Sequence, residues 1–203
     1  ELASGMNEAE AARRVPAILA RLNPGGEGRT GSLKSIAPRA WVAAVEQSFG
    51  MRGGNAKTAA ERMLSIAMAQ GWRDGRLAFS YYALGRAQIT SDPEAAVRAF
   101  DQAAKIYRTL PGGGVHGAHV DMQLAAIALS TGQPAQAILF ADRAIPVVKN
   151  AENAALLATL MMIKAEARDA LGQVSEAKAL RLDSLGWARY GFGSEAQVRA
   201  RMS

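Results

Sequence analysis

The feature that most constrains this chain is a helical pattern of apolar residues that itself repeats about every 40 residues. Nearly every window of about 12–18 residues places apolar side chains three and four positions apart, which is the spacing of one helix face. Glycines and prolines divide these windows into successive helices, and no alternating strand pattern lies between them. The sequence therefore predicts an all-α protein built from antiparallel helical hairpins.

Breaking residues and helix-capping residues set the expected helix boundaries. Asp92-Pro93 is the strongest start signal, because the Asp side chain can accept from free amides and Pro loses no bond at the first helical position. Pro146 predicts a kink or an early stop in its helix. The expected helices are 7–22, 38–49, 56–70, 72–84, 92–110, 116–131, 134–148, 152–171 and 174–189, with a short last helix from Ser194.

Three hairpins share small and large residues at corresponding positions. A middle set comprises Leu124, Ala125, Gly132, Ala137, Ala141 and Ala144. A later set, 40 residues on, comprises Ala165, Gly172, Ala177, Arg181 and Ser184. An earlier set, with a turn longer by about six residues over 86–91, comprises Leu77, Ala78, Tyr81, Gly85, Ala96, Phe100 and Ala103. A period near 40 with two helices per unit is typical of stacked helical hairpins.

These residue types have a mechanical reason. Small side chains let two helices cross closely, and larger ones such as Phe100 fill the space between neighbouring hairpins. A glycine at the turn can take the left-handed conformation that ends the first helix, so Gly85, Gly132 and Gly172 are the expected turn glycines.

Residues 72–188 resemble the tetratricopeptide-repeat family on these positions. The family unit has Leu-Gly at positions seven and eight, an aromatic residue at eleven, Gly at fifteen, Ala at twenty, an aromatic residue at twenty-four and Ala at twenty-seven. The earliest of the three sets matches best, and the last is degenerate at Arg181 and Ser184. The resemblance implies hairpins stacked as a short right-handed superhelix, with residues 1–71 as an N-terminal helical extension or diverged hairpin, 72–189 as three hairpins and 190–203 as a capping helix. Trp187, Tyr190 and Phe192 are expected to cover the open end.

In the resembled family the first helix of each hairpin lines a concave groove and meets the ligand. Carried onto this chain, that implies a groove for a protein or peptide partner. The expected groove residues are Trp72, Phe79, Tyr82, His119, Met122, Ala126, Leu129, Thr159, Met162, Glu166 and Asp169.

The aromatic residues Trp72, Phe79 and Tyr82 allow two interpretations. Their spacing of seven and ten residues places them on one helix face. They are either core side chains under the N-terminal helices or an exposed aromatic floor for a peptide, because interfaces also draw heavily on Trp, Tyr and Met.

Charge and composition narrow the classes of partner. The formal net charge is +6, but residues 1–75 and 76–203 each carry +3 and no basic block, which argues against nucleic acid. No apolar run is long enough to span a bilayer. The absence of cysteine fits a bacterial cytoplasm and a periplasm alike, so the compartment stays unknown, and a homo-oligomer stays open.

Motifs that could carry chemistry have simpler explanations. Gly112, Gly114 and Gly117 spell a dinucleotide-loop pattern, yet a helix and not a strand precedes them. His116 and His119 could bind a metal only with a third ligand, and the nearby Asp121 is expected to point elsewhere around the helix.

Glu166 and Asp169 could form a carboxylate pair, but on one helix they are more typical of an acidic surface that faces solvent or a partner. We therefore expect no enzyme, no metal and no cofactor, but a scaffold or adaptor that binds a peptide or helix. A small-ligand sensor domain of a bacterial regulator is the alternative. A closed apolar cavity lined by Met122, Met161, Met162 and the three aromatic residues would favour it.

Overall fold

The computed structural model describes residues 33–50 and 55–190. This part of the chain is all-helical, as predicted, and consecutive helices pack against one another in pairs. The helices are α1 (Leu33–Ser48), α2 (Ala56–Ala69), α3 (Gly75–Gln88), α4 (Pro93–Thr109), α5 (Gly114–Ser130), α6 (Pro134–Asn150), α7 (Ala154–Ala170) and α8 (Val174–Tyr190). The expected helices over 7–22 and from Ser194 lie outside the described residues, as does Phe192.

Four of the eight described helices begin after a residue whose side chain caps them. Asn55 accepts a hydrogen bond from the amide of Thr58, and Asp92 accepts from the amide of Ala95 just before Pro93. Asn153 caps α7 in the same way. These caps satisfy amides that the first helical turn leaves free, so the starts predicted for α2 and α4 are confirmed to within a residue.

Two prolines lie inside helices, where the sequence predicted a helix start at Pro38 and a kink or an early stop at Pro146. The first described helix begins at Leu33 and passes through Pro38, which was expected to start it. Similarly, α6 continues through Pro146 to Asn150, so the early stop is wrong. Pro146 and Asp142 are both exposed, so the Asp142 carbonyl, which loses its helical donor, can be solvated by water instead.

The turn between α3 and α4 is not where the sequence placed it. Helix α3 begins only at Gly75, after Asp74 has capped it, and runs through Gly85 to Gln88. The turn is therefore short, over residues 89–92, and the expected six-residue insertion does not exist. By contrast, Gly132 and Gly172 are turn glycines with φ near +75°, as predicted.

Once this turn is placed correctly, corresponding positions in the first helices of the last three hairpins lie 40 residues apart, a spacing that we call the 40-residue register. Gly85 corresponds to Ala125 and Ala165, and all three are buried. In the second helices, Ala96, Ala137 and Ala177 correspond and are each fully buried. The matching of these second helices agrees with the sequence alignment, whereas the alignment of α3 was displaced by about two helical turns.

Gly85 is a packing glycine and not a turn glycine. A Cβ at this position would lie 2.8 Å from two atoms of the fully buried Phe100 ring, which belongs to α4. The missing side chain is therefore what allows α3 and α4 to approach each other around the ring.

The cores between hairpins are continuous from one helix pair to the next. Phe100 and Tyr107 of α4 pack with Val120, Leu124 and Ile127 of α5. A second cluster joins α5, α6 and α7, and Trp187 packs against it from α8. Trp187 is thus half-buried against this core, and its expected role in covering the open end stays a prediction.

We predict that Gly85→Ala destabilises the protein although alanine favours helix. The gain in helix propensity is at most about 1 kcal/mol, whereas overpacking against a fixed ring costs about 1–3 kcal/mol. Urea unfolding should therefore show a lower midpoint. The matched control is Gly75→Ala, since nothing lies within 4 Å of a Cβ there. If Gly85→Ala were as stable as the unchanged protein, the close crossing at Phe100 would be wrong.

Candidate partner-binding face

The 40-residue register aligns one face of the first helices α3, α5 and α7. Positions that point into the hairpins, such as Ala78, Ala118 and Ala158, are buried in all three helices. A second set of corresponding positions is half-buried or exposed in all three. We call this second set the ladder face; it consists of Phe79, His119 and Thr159, then Tyr82, Met122 and Met162, then Arg86, Ala126 and Glu166, and last Ile89 just after α3, Leu129 and Asp169.

Neighbouring first helices meet directly at two places. Helix α5 packs against α7 as well as against α6, and α1 touches α3 in addition to α2. Corresponding side chains of α5 and α7 therefore belong to one surface, whereas α3 is joined to α5 through α4.

At the α3 end, helix α1 already contacts the aromatic side chains. The Phe79 ring stacks on Phe49 with centroids 5.4 Å apart and lies 6.2 Å from Trp41. Phe79 also packs against the core of Ala44, Met63 and neighbouring residues. This end of the ladder face is thus largely covered by the chain itself.

Trp72 does not share a helix face with Phe79 and Tyr82, because α3 begins three residues after it. Its ring lies edge-on to Trp41 at 6.2 Å, and the Arg76 guanidinium lies 3.7 Å from its centroid. Tyr82 connects the same aromatic chain to the core, with its ring 6.1 Å from Phe79 and 5.7 Å from Phe100. All three predicted residues are half-buried, so neither of the two interpretations describes them fully.

A buried hydroxyl group fixes α1 on α3. Ser80 is fully buried, accepts a hydrogen bond from Trp41 Nε1 at 2.9 Å and donates one to the Arg76 carbonyl at 2.7 Å. Both polar atoms are thereby satisfied, which removes the cost of burying them. Arg86 adds a cation–π contact 4.8 Å from the Phe49 centroid.

In the middle of the ladder face, α5 presents mostly apolar side chains. His119, Met122 and Leu129 are half-buried. Met122 packs at the edge of the α5–α7 core, and Leu129 packs beside Ala128 and Ala137. Burial lowers the pKa of His119, and the neighbouring His116 lowers it further. His119 therefore tends to be neutral at neutral pH.

At the α7 end the predicted residues are the most accessible. Met162 keeps 37% of its surface exposed, and Thr159 and Glu166 are also exposed. Asp169 forms an ion pair with Arg181 of α8, whereas no ion pair or hydrogen bond of Glu166 is found among the described residues. The α7 end therefore combines an exposed methionine with a solvated carboxylate.

The most buried charge in the described structure belongs to a residue that the sequence offered only as a third metal ligand beside the two histidines. Asp121 of α5 is 3% exposed and accepts hydrogen bonds from Arg143 Nε at 2.8 Å and from Arg108 at 3.2 Å. One carboxylate thus joins α4, α5 and α6, and its hydrogen bond is the main reason why the pKa of Arg143 is raised. Its spacing could have indicated this burial, because Asp121 lies three residues before Leu124 and four residues after Gly117, on the apolar face of the helix.

Other motifs find structural explanations. Gly112 has φ of +73° in the turn before α5, and Gly117 lies within that helix. The ring of His116 stacks on Tyr107 at 5.2 Å. Within residues 33–50 and 55–190, no group of three His, Asp or Glu side chains could hold a metal ion.

An open cleft of about 370 Å³ lies between α3 and α4. Tyr81, Leu84 and Gln88 line one side, and Ala95, Arg98 and Gln102 are among the residues on the other. It contains none of the ladder residues, so it is a separate feature of the surface.

In comparisons with known proteins, no protein-family model and no curated protein matches the chain. Across the described ranges, no helix is both long and apolar enough to cross a membrane. The ladder face and the packing beneath it are therefore the features from which a function can be inferred.

We predict that the two ends of the ladder face differ in their contribution to stability. Phe79→Ala should lower the free energy of unfolding by about 2–4 kcal/mol, because it empties a packed aromatic cluster. Met162→Ala should cost about 1 kcal/mol or less, since much of that side chain is already in water. Trp72→Ala should fall between them. Urea unfolding measures all three, and equal losses for Phe79→Ala and Met162→Ala would contradict the assignment.

Proposed function

We propose that this protein is a non-enzymatic scaffold or adaptor that holds a peptide or helix of a partner protein on its ladder face. The observation that carries the proposal is the alignment of Met122 with Met162 and of His119 with Thr159 on two helices that touch. This produces a strip of half-buried and exposed side chains on a rigid support, with methionines among polar groups, which suits a peptide-binding surface.

A tetratricopeptide-like array is part of the same proposal. Its support is the consecutive pairing of helices, the 40-residue register and the fully buried alanines at corresponding positions of α4, α6 and α8. In such an array each hairpin buries one side on its neighbour and leaves the first helices available for a ligand.

A non-enzymatic role is supported by how the charged groups are used. Asp121 is buried between two arginines, and Asp169 is paired with Arg181. A catalytic carboxylate or imidazole needs a substrate-sized space beside it, whereas Glu166 and His116 lie exposed on helix surfaces.

The alternative of a small-ligand sensor required a closed cavity among the methionines and aromatic residues. Met122 and Met161 instead pack against the α5–α7 core, and Met162 faces solvent. Phe79 and Tyr82 are in contact with α1 and α4 rings. We therefore favour the peptide over the small ligand.

The proposal can be tested by selecting binders from a random peptide library displayed on phage, with the full chain as bait. Selected peptides should bind Met162→Arg about tenfold or more weakly, because the large cation removes an apolar contact at the centre of the strip. The matched control is Leu139→Arg on α6, whose side chain is 63% exposed and away from the ladder face.

Two results would contradict the proposal. One is a selection that returns no peptide binding the full chain. The other is a set of peptides whose binding is lost in Leu139→Arg and kept in Met162→Arg.

A further inference from the structure

The ladder face has a covered section and an accessible section. Around Phe79, the rings of Trp41 and Phe49 already occupy the surface. Around α5 and α7, Met122 and Leu129 are half-buried and Met162 is exposed, although these side chains belong to a well-packed pair of helices. We call the α5–α7 section the methionine strip; it comprises His119, Met122, Ala126, Leu129, Thr159, Met162, Glu166 and Asp169.

The charge of the methionine strip is opposite to that of the protein. The chain as a whole carries +6, but the formal charges of the strip are the carboxylates of Glu166 and Asp169, and the strip has no lysine or arginine. Lowering of the His119 pKa by burial keeps that ring from adding a compensating charge near neutral pH. Arg181 reaches the strip only to pair with Asp169, which leaves Glu166 for a ligand.

We propose that the occupant of the methionine strip is a basic amphipathic helix of a partner protein. Its apolar side chains pack on Met122, Leu129 and Met162, and a lysine or arginine pairs with Glu166. This inference rests on the proposed function and adds the chemical class of the partner.

The apolar part of the strip suits a helix better than a flat sheet edge or an extended chain. Methionine side chains are flexible and adapt to apolar side chains spaced three and four residues apart on a partner helix. The strip is itself the side of two helices whose main-chain groups are internally bonded, so it offers no free backbone for strand addition.

The charge of the strip selects the polar face of that partner. A negatively charged ligand would bring its carboxylates toward Glu166, and the arginine at the strip, Arg181, is already paired with Asp169. A positively charged ligand gains the Glu166 contact, an interaction that salt screens.

The test uses the full chain and three fluorescein-labelled peptides of about 16 residues with leucine at helical spacing. The first has lysine at its polar positions, the second has glutamate there, and the third is the lysine peptide with a central proline. We expect the lysine peptide to bind, as measured by a rise in its fluorescence anisotropy, and to bind more tightly than the other two. Its affinity should fall as the salt concentration rises from about 50 to about 300 mM.

Protein variants then locate the contact. Glu166→Lys should lower the affinity for the lysine peptide by about fivefold or more, and Met162→Arg should lower this affinity as well. Glu61→Lys makes the same charge change at an exposed position on α2 and should leave the affinity within about twofold.

The proposal is overturned if the glutamate or proline peptide binds as tightly as the lysine peptide, or if Glu61→Lys and Glu166→Lys weaken it equally. If no designed peptide binds while library-selected peptides bind through Met162, the partner class is wrong and the scaffold function stands. If neither kind of peptide binds, both fail.

Discussion

The structure depends on the close approach of the two helices in each hairpin. Ala96, Ala137 and Ala177 are fully buried at corresponding positions of α4, α6 and α8, and the first helices paired with them carry the small, buried residues Gly85, Ala125 and Ala165. Helices can pack near the short end of the 8–10 Å range of interaxial distances only where such side chains meet. With few aromatic residues in the chain, this close packing supplies much of the dispersion energy of the core.

Repeated crossings would give independent hairpins unless something joined one pair to the next. Apolar clusters join them here, and two further contacts add to these clusters. Asp121 holds an arginine from α4 and another from α6, and removing either partner would leave a buried charge less well compensated. At the other end, Trp41 and Phe49 bind α1 to α3 through stacked rings and the hydrogen bond to Ser80. The contacts of α1 cover the α3 end of the ladder face, whereas its α5 and α7 sections remain accessible to a ligand.

The sequence predicted the helical class and most second helices because local chemistry determines them. Asp92-Pro93 and Pro134 mark helix starts, and Gly132 and Gly172 supply the left-handed turns, so α4, α6 and α8 were placed within about two residues. Gly85 was assigned to a turn because glycine is ambiguous in sequence. Its role depends on the Phe100 ring, which reaches it only in the folded structure.

The candidate site was harder to predict for the same reason. Periodicity identified His119, Met122 and Met162 as sharing a face, but it could not show that α1 would stack on Phe79 or that Trp72 lies before its helix. Asp121 sat on an apolar stripe, yet its partners are 13 and 22 residues away. Long-range partners of this kind follow from the stacking of hairpins and not from local spacing.

The most direct test of the account is to place leucine at each corresponding small position in turn. Ala96→Leu, Ala137→Leu and Ala177→Leu should each lower the free energy of unfolding in urea by about 1–3 kcal/mol, because each overpacks an equivalent crossing. Ala179→Leu on the exposed side of α8 should stay within about 0.5 kcal/mol of the unchanged protein. If any of the three matched the Ala179→Leu control, the 40-residue register would not hold through that hairpin, and the ladder face built on it would be wrong.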